Sequence, residues 1–102
     1  MTTPTGTRQG VQQLLGLSTA HLPQHLGTDQ GSLAAEPGII AAPLTWGWLI
    51  IVPAVDTGYD DRPGRHPAVV AIVEYARALG CDYVLFDADT EPADDLPVHP
   101  WL

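Results

Sequence analysis

The stretch His66–Asp89, HPAVVAIVEYARALGCDYVLFDAD, constrains the fold of this chain more than any other. It predicts one amphipathic helix, one stop signal and one buried strand. Pro67 suits a first helical turn, where its missing N–H is no loss and its φ is already set. Val69, Ile72, Val73, Ala76 and Leu79 then recur at helical spacing, with Glu74 and Arg77 on the opposite side. Gly80 follows the last apolar position, where a left-handed residue closes a helix without a Cβ penalty. Tyr83-Val84-Leu85-Phe86 is a short, bulky, uninterrupted apolar run, as a strand covered on one face and paired on both sides requires. Two carboxylates, Asp87 and Asp89, end it.

Upstream, residues 1–10 are Thr- and Gly-rich and are expected to be flexible. Val11–Leu17 is the expected first strand, weakened by Gly16. Ser18 or Thr19 can cap a short helix over Ala20–Leu26, with Pro23 tolerated in its first turn. Thr28–Gly38 reads mostly as loop, with room for a helical turn at Ser32–Glu36. Ile39–Ala42, closed by Pro43, reads as an edge strand. Trp48–Val52 is the strongest β segment, and the two strands should form a hairpin around Gly47. Asp56–Arg65, DTGYDDRPGR, is a polar loop, and Pro92, Pro97 and Pro100 keep the tail extended.

The order strand, helix, strand, strand, helix, strand predicts one small α+β domain over residues 11–102, with an extended acidic C-terminal tail. The arrangement it suggests is a ferredoxin-like sandwich, a four-stranded antiparallel sheet with helices on one face. There the first and third strands are central and Ile39–Ala42 lies at an edge. A three-stranded sheet with one main helix is the alternative.

Charge narrows the function classes. Twelve Asp and Glu stand against four Arg and no Lys, for a net charge of −8 with His neutral. A nucleic-acid binder must neutralise phosphates, so direct DNA or RNA binding is not expected. The same field favours a basic partner; the plain alternative is that it serves solubility. Half of the acids lie in the last 21 residues, from Asp82 onward, without one Arg or Lys. In the ferredoxin-like layout the loop entering the main helix and the exit of the last strand share an end. Asp56, Asp60 and Asp61 would then join Asp87, Asp89, Glu91, Asp94 and Asp95 in one partner-binding patch. Cys81 is the only cysteine, so no internal disulfide forms. With no basic n-region or apolar h-region, and apolar runs too short for a bilayer, the expectation is a cytoplasmic protein without membrane contact.

Three patterns invite a chemical reading. Val84–Thr90, with Asp87 and Asp89 at the end of an apolar strand, resembles the opening motif of haloacid-dehalogenase-type phosphatases. That motif wants its Thr one position later and a long downstream domain with a lysine; only 13 residues follow Asp89, and the chain has no lysine. A metal-dependent enzyme or metal-binding protein using Asp87 and Asp89, with Glu91, stays as the alternative. His21 and His25 share a helix face at zinc-compatible spacing, but lack a third ligand nearby; His21 reads as buried and hydrogen-bonded, His25 as a surface residue. Ser18, His21 and Asp87 lack a nucleophile elbow. No catalytic residue, metal site or cofactor is therefore assigned. Trp46 and Trp48 fall on one face by alternation, and Trp101 is expected to fold back over the domain.

Leu17-Ser18-Thr19-Ala20-His21-Leu22-Pro23, Trp46-Gly47-Trp48 with Val52-Pro53, Tyr75 through Asp89, and Asp95-Leu96-Pro97 with a terminal tryptophan carry a resemblance. Together they resemble a small domain-of-unknown-function family of bacterial plasmids, phages and other mobile elements. One departure is Trp46, where that family usually has Tyr. The resemblance implies a setting, since short accessory genes of mobile elements often encode antagonists of host defence. The expected function is a non-catalytic acidic binding protein, a DNA mimic that blocks a basic nucleic-acid-binding surface of a host defence factor in the manner of an anti-CRISPR inhibitor. A plain protein-interaction module of a mobile element is the further alternative.

Overall fold

The computed structural model describes residues 11–28, 33–45 and 47–99. The expectations for residues 1–10, Trp46 and Trp101 fall outside the described residues. The elements are β1 (Leu14–Ser18), a 3₁₀ turn (Thr19–His21), α1 (Gln24–Thr28), β2 (Ile40–Leu44) and β3 (Gly47–Ile51). Two 3₁₀ turns (Val55–Thr57 and Tyr59–Asp61), α2 (Pro67–Ala78) and β4 (Tyr83–Asp87) follow.

α2 begins and ends where its sequence dictates. Pro67 occupies the first turn, and the His66 ring accepts a hydrogen bond from the Ala68 N–H. The Glu36 carboxylate accepts the His66 N–H, placing a negative charge at the positive end of the helix dipole. At the other end Gly80 takes φ +74°, and the Cys81 N–H reaches back to the Ala76 carbonyl, closing a Schellman turn. Val69, Ile72, Val73 and Ala76 are buried as their spacing predicts. Leu79 is not: it lies at the C-terminal cap, past the last helical residue, and is 54% exposed.

The four strands form one sheet in the order β1-β4-β3-β2. β2 pairs antiparallel with β3 and β3 antiparallel with β4, but β1 runs parallel to β4. The sheet is therefore mixed, and the expected antiparallel sheet with a central first strand is corrected: β4 and β3 are central and β1 is at an edge. β2 does lie at the other edge, with Pro43 inside it. The inner position goes to the strand with more to bury. β4 seals Val84 and Phe86 almost completely and has no glycine, whereas β1 carries Gly16 and an exposed Leu14. The first helix is also shorter than expected: Ala20 and His21 wind as a 3₁₀ turn and α1 has only five residues.

One face of the sheet holds the core, where Leu17, Trp48, Ile50, Val84 and Phe86 meet α2 together with Leu22, Leu26, Leu33 and Tyr59. Truncating Phe86 to Ala is expected to cost about 3–5 kcal/mol through lost burial and a residual cavity. Leu79→Ala, on the exposed cap, should stay within about 0.5 kcal/mol. Denaturant midpoints of the two variants check the contrast, and equal shifts would contradict this core. Among the described residues no helix is long and apolar enough to cross a membrane.

Candidate functional site

The parallel pairing of β1 and β4 brings both strand exits to one end of the sheet. Ser18 stands opposite Asp87, which in turn stands opposite Gly47. Beyond β1, the Ser18 hydroxyl accepts from the Ala20 N–H and caps the turn that carries His21. Beyond β4, the Asp87 carboxylate accepts from the Asp89 N–H and the Asp87 carbonyl from the Thr90 N–H, turning the chain toward β1.

His21 fastens the chain that follows. It is 2% exposed, and its Nε2 accepts the Ala93 N–H at 2.8 Å. A nitrogen that accepts is unprotonated, so Nδ1 carries the proton and donates to the Pro97 carbonyl, also at 2.8 Å. The His99 N–H donates to the Ala20 carbonyl, and Leu96 drops into the core between these ties. Residues 88–99 thus form a strap laid against the turn after β1. The segment Ser18–Leu22 and the segment Asp95–Pro97, far apart in sequence, are two halves of one clamp.

The strap presents acids. Asp89, Glu91, Asp94 and Asp95 are exposed, and among the described residues none has a salt-bridge partner. Asp87 is half-buried at its origin and is engaged in its own turn. Asp82, at the other end of β4, accepts from the Gln13 N–H at 2.8 Å.

The remaining expected acids lie elsewhere. Asp60 accepts from Arg77 at 2.9 Å and lies 4.0 Å from Arg65. Arg77 also donates twice to the Pro53 carbonyl, at 3.0 and 2.8 Å, just past the end of β3. Asp60 is therefore held near the C-terminal turn of α2, at the end of the sheet where β4 begins, and not beside the strap. Asp61 follows it, exposed, on the same 3₁₀ turn. The Asp56 side chain lies outside the described residues. Asp60 is not a free acid, because Arg65 from the same loop and Arg77 from α2 reach it.

Tyr59 is the centre of that arrangement. Arg65 and Arg77 sit 5.1 and 5.7 Å from its ring centroid, within cation–π range. Gly38 lets the ring approach so closely that a Cβ there would lie 2.8 Å from Cδ1. The buried Tyr59 hydroxyl has no hydrogen-bond partner among the described residues. Burial raises its pKa above the usual value near 10, with Arg65 opposing the rise. The proton is then held more tightly in the folded state, so stability should fall as pH climbs through the unfolded value near 10. Tyr59→Phe removes both the unpaired hydroxyl and the titration. It should match or exceed wild-type stability at neutral pH by up to about 1 kcal/mol and flatten the alkaline loss. Thermal melts from pH 7 to 11 check this; an unchanged alkaline slope would contradict it.

The histidines take the places their context suggested. His21 is buried with both ring nitrogens in use, and His25 is exposed, its ring 5.6 Å from that of His66. Among the described residues no three His, Cys, Asp or Glu side chains gather as a metal ion needs. Trp48 is in the core. Sequence reasoning did not find the His21 clamp or the grip of the arginines on Tyr59; the prolines around Leu96 indicated an extended tail, but nothing local pairs it with His21.

Residues 14–101 match the C-terminal domain of a family of unknown function, DUF5983. The chain belongs to DUF5983. The matched span begins at β1 and runs through the strap, so sheet, α2 and clamp all lie within the DUF5983 domain. No curated protein and no solved structure matches the chain.

Proposed function

We propose that this DUF5983 domain is a non-catalytic acidic binding protein whose strap occupies a basic, nucleic-acid-binding surface of another protein. The observation that carries the reading is the clamped strap: Asp89, Glu91, Asp94 and Asp95 are exposed, have no salt-bridge partner among the described residues, and project from a segment tied down at Ala93, Leu96, Pro97 and His99. Fixed carboxylates lose little freedom on binding, whereas charges on a loose tail must be ordered first. Asp87 anchors the strap, while Asp60 and Asp61 lie with the arginine-covered turn and contribute less. In the mobile-element setting that the resemblance implies, the basic surface belongs to a host defence complex, and occupying it is an anti-CRISPR-like mimicry of DNA.

The test is DNA binding by purified CRISPR nuclease complexes, titrated with wild type and two double reversals. Asp94→Lys with Asp95→Lys should weaken inhibition about tenfold and reduce its salt dependence, since complementary fields act mainly on the association rate. Asp60→Lys with Asp61→Lys should weaken it less. If wild type inhibits none of the complexes, the defence-factor reading falls. If the folded Asp94/Asp95 variant inhibits as well as wild type, the strap is not the contact surface.

A further inference from the structure

The sheet has a second face, opposite the core, and the strand register lays it out in rows. Leu14, Tyr83, Ile51 and Ile40 form one row, and Gly16, Leu85, Leu49 and Ala42 the next. The row at the strap end places Asp87 beside Gly47 and Leu44. Leu14, Ile40, Leu44 and Ile51 are 43–68% exposed, and the first two rows hold no charged side chain.

We propose that this face is the interface between two copies of the chain, packed sheet against sheet. Its composition points to a homodimer contact, because homodimer interfaces are richer in apolar groups than ordinary surface. Its size is adequate. Four strands at about 4.8 Å spacing and five residues at about 3.4 Å rise give a face roughly 19 by 17 Å. With side chains standing off both sheets, two copies cover on the order of 1,000 Å² in total, the lower bound for a specific interface. The net charge of −8 does not oppose this packing as it would if it were spread evenly. The strap acids sit beyond one end of the sheet, and Asp60 is paired beside α2. A basic partner would match the strap, not this largely apolar face.

The face is also self-complementary about a two-fold axis along the hydrogen-bonding direction. That operation keeps each strand over its own copy and lays the first row of one protomer over the strap-end row of its partner. Leu85 and Leu49 then meet their own copies at the centre. Ile51 then comes over a hollow of about 200 Å³ lined by Leu44, Gly47 and Leu85, and Ile40, the most exposed of these side chains, comes over Leu44 at its rim. Tyr83 comes over Asp87, so the one carboxylate on the face meets a phenolic hydroxyl and is not left unpaired. Pairing through this face does not depend on what the strap binds.

Sedimentation velocity of the whole chain over a micromolar to submillimolar range tests it, with circular dichroism to verify folding. Wild type should sediment as a dimer, and Leu85→Lys should raise the dissociation constant roughly thirtyfold or more, as expected of a central apolar contact. Ile40→Lys, at an exposed edge position that tolerates charge in the monomer, keeps the test decisive if Leu85→Lys fails to fold. A monomeric wild type overturns the proposal. So does a dimer that survives Ile40→Lys unchanged in a folded protein.

Discussion

Gly47→Ala should remove a large part of the domain's stability, at least about 3 kcal/mol, beyond the usual range for an added methylene in a packed site. The added Cβ would lie 1.7 Å from the Phe86 carbonyl oxygen and 2.8 Å from its carbon. Both are backbone atoms of the central strand, so no rotamer change relieves the clash. Gly47 pairs with Asp87, and the methyl group can be housed only if the start of β3 peels away from β4. That separation would break the ladder where the strap departs and disturb Trp48 and Phe86 in the core. Small domains hold only about 5–15 kcal/mol in all, so the variant should show a much lower denaturant midpoint. Gly16→Ala is the matched control. Nothing lies within 4 Å of a Cβ built there, and in a strand alanine is favoured over glycine by about 0.5–1 kcal/mol. If the two variants melt alike, β3 and β4 are not paired in this register.

What the sequence disclosed and what it hid divide along one line. Local patterns were legible: Pro67 and Gly80 bracket α2, the run Tyr83–Phe86 is a strand, and Pro43 marks an edge. Each of these follows from backbone preference or from side-chain period within a few residues. Strand order was not legible. The succession of elements fits both a ferredoxin-like sheet and the mixed sheet observed, and the choice depends on which strand has more to bury on the core face. The placement of the acids inherited that ambiguity. Composition showed an acidic tail, but only the parallel β1–β4 pair explains why it is held. The pairing of Asp60 was equally hidden, because Arg65 and Arg77 reach it from five and 17 residues away around Tyr59. The open sheet face was half visible: the element order already predicted helices on one face only, yet the strand order that lines up Ile40, Leu49, Ile51 and Leu85 on the other face was not legible.

The histidine clamp yields the other large effect. His21→Ala should destabilise the domain by about 2–5 kcal/mol, since it empties a buried site and leaves the Ala93 N–H and the Pro97 carbonyl without partners. The loss should be uneven. Hydrogen exchange at Ala93, Leu96 and His99 should accelerate most, because those amides tie the strap, while Val84 and Phe86 in the central strand keep most of their protection. His21→Asn gives a finer comparison: its amide can still donate toward Pro97 but no longer reaches Ala93, so the strap should loosen at one tie and not the other. Neither variant changes an acidic residue. If the strap acts by presenting fixed carboxylates, His21→Asn should therefore weaken binding to a basic surface at unchanged net charge, through the ordering that binding then has to supply. Strap amides that exchange no faster in His21→Ala than in wild type would show that Leu96 alone holds the segment, and that His21 fills space without acting as its clasp.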